Sequence, residues 1–205
     1  MYLDDQSVIR YSGTIKGTAV GAAFDVNNWS NDVKLISAGK MNMAVVRKDN
    51  TIRMYGHNKN NHWEGSYDTN NWYFGSSNEF KATEDNIIDI CSGTHFTLFV
   101  TEKGLVYGSG NQFLQEIGVN TDSGRFVKVP LAEGLKALRV WCSRAKNSYS
   151  AIVEVQEGDD KYLMSCGTHF AGWLGQGTDE VQSNSWKKLD YDYKTIKFKK
   201  ISTLT

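Results

Sequence analysis

Glycines return along this chain on a beat. Four stretches share one order of strand, Gly, loop, apolar residue and Gly: "YSGTIKGTAVG", "MYGHNKNNHWEG", "GSGNQFLQEIG" and "SCGTHFAGWLG". Their leading glycines are Gly13, Gly56, Gly110 and Gly167, spaced 43, 54 and 57 residues apart. A second motif keeps the same time. "VKLISAGKMNMAVV", "IIDICSGTHFTLFV" and "LRVWCSRAKNSYSAIV" each run apolar strand, small-residue turn, apolar strand. Asn42, Phe96 and Tyr149 take one place in it, with steps of 54 and 53 residues. A turn follows each copy, at Asp49 and Asn50, at Lys103 and Gly104, and at Gly158 and Asp159. A third strand comes next: "TIRMYG", "GLVYGSG" and "KYLMSCG".

A unit of roughly fifty residues with about four short strands is the size of a propeller blade. One four-stranded sheet cannot bury both of its faces, but stacking such sheets around an axis does so. The composition agrees: 19 glycines against one proline, Pro130, suit strands joined by tight turns. Period-two alternation recurs, as in "KTIKFKKI", where Ile196 and Phe198 face one way. No stretch reads as an amphipathic helix. An all-β fold is expected, a β-propeller with about four repeats present. The same beat disposes of a tempting duplication. "GTHF" occurs at 93–96 and at 167–170, 74 residues apart, which is no multiple of the period. The first copy is a turn early in a repeat, and the second falls in the glycine-loop motif late in one.

The ordered motifs resemble the regulator of chromosome condensation repeat, whose β-propeller normally has seven blades. The stretches that carry the resemblance are 33–65, 87–118 and the ending "LMSCGTHFAGWLGQG" at 163–177. "RFVKVPLAEGLKALRV" resembles the family's inter-repeat linker, with Pro130 before the next strand. At the family's recurrent His position stand Asn42, Phe96 and Tyr149, and the third repeat replaces its Gly turn with "SRAKN". The chain is therefore a divergent example. The segments expected are 1–32, the late half of a first blade plus linker; blades at 33–85, 86–134 and 135–192; and the first strand of a further blade at 193–205. About four repeats fall short of a ring, so a longer polypeptide or a partner is expected to complete it. Lys197, Lys199 and Lys200 on the final strand would blunt an unpaired edge.

Several chemistries find no support in the residues. Basic and acidic residues balance at 23 each, so no overall field draws the chain to nucleic acid. "MYLDDQSVIR" has no signal-peptide pattern, and no apolar run approaches the roughly 18 residues of a membrane span. Cys91, Cys142 and Cys166 are odd in number, show no C-x-x-C spacing and lie in apolar stretches, which reads as buried reduced thiols in a cytoplasmic protein. His57 and His62 share a loop without further ligands at metal spacing, and His95 and His169 read as turn or core-edge residues. "GSGNQF" is glycine-rich, but no helix is expected after it to hold a phosphate. No cofactor, metal or enzymatic activity is expected.

The strongest functional signal is aromatic. The stretch 57–80 places Trp63, Tyr67, Trp72, Tyr73, Phe74 and Phe80 among six asparagines. Rings beside adaptable polar groups are typical of recognition surfaces. The candidate partner-binding residues are His57, Asn58, His62 and Trp63, then Trp72, Tyr73 and Phe74, with Phe113, His169 and Phe170 from later loops. "SWKKLDYDYKTIKFKK" carries six lysines and reads chiefly as a solvated strand face. The expected role is a protein–protein interaction scaffold, a subunit of a larger protein or assembly. The resemblance also implies two alternatives: a guanine nucleotide exchange factor for a small GTPase, or the substrate-recognition part of a ubiquitin ligase.

Overall fold

The computed structural model describes residues 32–40, 42–56, 79–81, 83–94, 96–117, 119, 126–144, 149–168, 174–177 and 182–195, together with four short strands ahead of them. Those four form two ladders. β1 (Tyr2–Leu3) pairs with β2 (Ile9–Arg10), and β3 (Gly13–Ile15) with β4 (Thr18–Val20). Gly13 thus opens a hairpin strand, and does not close a strand ahead of a loop as the repeat alignment implied.

Three four-stranded antiparallel sheets follow, each a simple meander in chain order. The first joins β5 (Val33–Ala38), β6 (Asn42–Arg47), β7 (Ile52–Gly56) and β8 (Glu79–Phe80). The second joins β9 (Ile87–Ser92), β10 (Thr97–Thr101), β11 (Val106–Ser109) and β12 (Val127–Val129). The third joins β13 (Lys136–Cys142), β14 (Tyr149–Glu157), β15 (Asp160–Thr168) and β16 (Gln182–Lys188). The stretch expected to be an inter-repeat linker therefore carries the fourth strand of one sheet and the first strand of the next. The first strands β5, β9 and β13 stand side by side, which makes them the inner edge of three consecutive blades.

Why the blades stack is legible in β10. All five of its residues are buried, so both faces of the middle sheet are covered. Alternation deals its side chains to two different cores. Leu98 and Val100 join Cys91, Phe96 and Val106 against Ala137, Val140, Val153, Val155 and Met164 of the third blade. Phe99 points the other way, to Ala44, Val46, Ile52 and Met54 of the first blade, with Ile87, Ile90 and Phe126. Its ring lies 5.0 Å from that of Tyr107 and 5.1 Å from that of Phe126. Each such side chain, fully buried, contributes roughly 1.5–3 kcal/mol relative to exposure. The inter-blade cores are thus the main source of cohesion.

Hydrogen bonds align the blades. The Ser92 amide donates to Ser37 Oγ at 2.8 Å, and the Val140 amide donates to Asp89 Oδ2 at 2.8 Å. The turns joining second and third strands also reach the next blade. Asn50 Oδ1 accepts from the Ile87 amide at 3.1 Å, and Gly104 O accepts from the Ala137 amide at 3.0 Å. Both turn residues have positive φ, 66° at Asn50 and 81° at Gly104. Asparagine and glycine are the residues that tolerate that region.

Three expectations need correction. First, Gly56 is level with Asn42, and Gly110 follows the Thr97–Ser109 pair at the matching place, but Tyr149 is level with Thr168. Gly167 sits one residue earlier, opposite Ser150, beside a register shift between β15 and β16. At φ 95°, with Tyr149 O where a Cβ would stand, glycine is needed there for local reasons and not for the repeat. Second, a helix does follow "GSG": α1 (Asn111–Glu116). Six residues make less than two turns, too short to show a period in sequence. Phe113 and Leu114, both fully buried, stabilise it through tertiary packing. Third, Cys91 and Cys142 are joined as a disulfide, while Cys166 is a buried free thiol. The spacing gave no hint, because the partners belong to neighbouring blades and not to one local motif.

Candidate functional site

Antiparallel order gives each blade two ends. At one end lie the turns between first and second strands. There the Gly39 amide donates to Asn42 O and the Gly93 amide to Phe96 O, both at 2.8 Å, while the Ser143 amide donates to Ser150 O at 2.9 Å. The third strands finish at this same end, at Gly56, Ser109 and Thr168, level with or next to those turns. The connections from third to fourth strand therefore all depart from one end of the stack. Every one of the ten candidate partner-binding residues belongs to these connections.

Of the ten, Phe113 lies within the described residues. His57, Asn58, His62, Trp63, Trp72, Tyr73, Phe74, His169 and Phe170 lie outside them, as do His95, Tyr67 and residues 196–205. Phe113 is a core ring. It is fully buried and stacks on Phe96 with centroids 4.3 Å apart and planes 7° from parallel. It cannot present a surface to a partner. Its helix leaves β11 of the second blade and packs on β14, β15 and β16 of the third, so the segment ties two blades together. The two "GTHF" copies are separated as their phase required. Gly93 opens a turn between first and second strands, whereas Gly167 is paired inside β15.

The opposite end carries features the sequence did not announce. Lys188 Nζ lies 4.1 Å from the centroid of Tyr162 and 3.8 Å from that of Tyr193, a cation held on two aromatic faces. The Tyr162 hydroxyl donates to Glu157 Oε2 at 2.9 Å. Burial, with Glu157 beside it, pushes the Tyr162 phenol up to about 12. A cavity of about 310 Å³ opens next to this cluster, lined by Asp159, Asp160, Lys161, Tyr193 and Lys194. Its mixed charges favour no single ligand. Between the ends, burial raises the Asp89 carboxyl above its usual value, partly offset by the amides of Val140 and Ile90 and by Arg139. Asp89 serves as an inter-blade acceptor, a role its place in "IIDICSG" does not signal, because the donor amide belongs to the next blade. Among the described residues, no three His, Cys, Asp or Glu gather to hold a metal ion, and no helix is long and apolar enough to cross a membrane.

No family model matches the chain. A curated relative, the guanine nucleotide exchange factor SRM1 of Saccharomyces cerevisiae, is 25% identical over an alignment of 162 residues that covers 73% of this chain and 33% of that protein. Three solved structures are similar in fold. Yeast RCC1 (Prp20), in a crystal structure with Kap60, gives a TM-score of 0.64 at 16% identity, covering 91% of this chain and 42% of that one. Prp20p from Saccharomyces cerevisiae, studied with its binding to Gsp1p and histones, gives 0.59 at 18% identity, covering 84% and 41%. Human WBSCR16 gives 0.61 at 19% identity, covering 78% and 39%. The chain thus spans 33% of the curated relative and 39% to 42% of these structures. Three consecutive antiparallel blades, joined through inner strands and matched to these proteins, identify the fold as a β-propeller of the regulator-of-chromosome-condensation type, present here as a part of the ring.

Proposed function

We propose that this chain is a protein-interaction module that engages its partner through the third-to-fourth-strand connections at one end of the blades. The observation that supports the reading is geometric. The aromatic and asparagine-rich segment after Gly56 leaves from the same end as the segments after Ser109 and Thr168, above sheets made rigid by shared cores. Variable loops on a rigid scaffold suit recognition. The similar proteins lend further support, since Prp20p was studied with Gsp1p and histones, and yeast RCC1 was crystallised with Kap60.

The test is a paired substitution, Trp72→Ala with Tyr73→Ala. Loss of two aromatic anchors from the interface should weaken capture of protein partners by about tenfold or more while the thermal melt is unchanged. Partners are identified by mass spectrometry of material retained by the parent chain and lost by the variant. A variant that unfolds would show that the rings belong to the core and that the recognition reading of this segment is wrong.

A second reading, exchange on a small GTPase, is favoured by the relative that is named as a guanine nucleotide exchange factor. Its test is release of a fluorescent guanine nucleotide from a panel of small GTPases with the chain at substoichiometric amounts. Accelerated release would place this reading first, and unchanged rates across the panel would remove it.

A further inference from the structure

We propose that Cys91 and Cys142 form a reversible covalent clasp between the inner strands of the second and third blades, closed and opened by thiol–disulfide exchange. The two residues occupy one place in the repeat. Cys91 is the fifth residue of "IIDICSG", and Cys142 the fifth of "LRVWCSR". In the first blade that place belongs to Ser37, in "VKLISAG". The Ser37 hydroxyl reaches the next blade and accepts from the Ser92 amide. The same inter-blade seam is therefore closed by a hydrogen bond between the first and second blades, and by two sulfurs between the second and third. Because a serine closes the neighbouring seam, packing alone does not require cysteine at this place.

The geometry selects this pair among three cysteines. The Cα atoms of Cys91 and Cys142 are 5.6 Å apart, within the span that a disulfide bridges without backbone movement. Cys166 lies two strands along the third sheet, since Cys142 pairs with Ala151 and Ala151 with Cys166. Two inter-strand steps come to about 9–10 Å, beyond disulfide reach. Burial also pushes the Cys166 thiol well up, which keeps it in its unreactive form. The third sulfur is thus a bystander.

Closing the clasp removes two protons and two electrons from the two thiols. The electrons pass to the disulfide of an external couple, such as glutathione disulfide, which leaves as two thiols. Reduction reverses this. Cys91 and Cys142 are 7% and 3% exposed, so either reaction needs the seam to part transiently. The reduced seam still has the apolar cluster shared by β9, β10, β13 and β14 to hold it. The bond spans a sequence separation of 51 residues, so its loss should lower the thermal midpoint by roughly 5–15 °C without dismantling the sheets.

The experiment equilibrates the full chain in glutathione buffers of graded poise, quenches it in denaturant with a thiol-alkylating reagent, and counts labels by intact mass. One label is expected under oxidising conditions and three under reducing ones. Peptide mapping should join Cys91 to Cys142, and circular dichroism should keep its β signature throughout. Three labels at every poise, or a link that includes Cys166, would overturn the proposal. Loss of the β signature on reduction would overturn its reversibility, because the bond would then be an obligatory staple. The Cys166→Ser variant should retain the link, and the Cys91→Ser, Cys142→Ser pair should melt like the reduced parent at every poise.

Discussion

Asp89 shows how one residue trades an acid's usual chemistry for a place in the stack. Its carboxyl accepts from the Val140 and Ile90 amides, yet burial outweighs these bonds and raises its proton affinity. The folded chain therefore binds this proton more tightly than the unfolded chain does. The stability it contributes is fully present below the ordinary value of 3.8 and is lost as pH rises through the raised folded value. Asp89→Asn keeps an acceptor for Val140 and removes the buried charge. Thermal melts over a pH series should show a smaller fall just above pH 3.8 and a higher midpoint at neutral pH. A lower midpoint at neutral pH would mean that the charged acceptor holds the seam better than its burial weakens it. The sequence marks Asp89 as an unusual polar residue in an apolar strand, but its partner amide comes from the next repeat, and its environment could not be read from "IIDICSG" alone.

At the scale of the element, the turns between second and third strands do two jobs. They reverse the chain, and they supply an acceptor to the first strand of the following blade. Asn50 does this with its side chain and Gly104 with its backbone. Their sequence signals were plain, since Asp-Asn and Lys-Gly are turn pairs. The second job was hidden, because it depends on where the next blade sits. Gly104→Ala meets two penalties: a φ of 81° that alanine tolerates poorly, and a Cβ placed 2.7 Å from Lys136 Cβ. It should cost about 1–3 kcal/mol. Asn50→Gly keeps the turn and loses one side-chain bond, at about 1 kcal/mol. Urea denaturation of the two variants gives the comparison. Equal losses would show that the strained φ and the close approach at residue 104 cost no more than the single inter-blade bond at Asn50.

Taken as a whole molecule, the stack is held more firmly at its middle than at its described flanks. β10 is buried throughout and feeds both inter-blade cores, whereas β16 on the third blade exposes five of its seven residues. Native-state hydrogen exchange should find the amides of residues 97–101 among the slowest and those of 182–188 several orders of magnitude faster. Uniform protection across the blades would instead indicate that the three sheets open as a single unit.

What the sequence determined by itself was the beat. Strand periodicity and turn residues are local, so "VKLISAG", "IIDICSG" and "LRVWCSR" announce equivalent strands without knowledge of their neighbours. All-β blades of four antiparallel strands, and the distinct settings of the two "GTHF" copies, follow from that. Tertiary structure decided everything that depends on contact between repeats. It formed α1 from six residues through the burial of Phe113 and Leu114, and turned Phe113 from a candidate contact into a core ring. It brought Cys91 to Cys142 across 51 positions of sequence. The physical reason is common to all three. Backbone conformation is set within a few residues, but burial and pairing are set by whichever blade stands alongside.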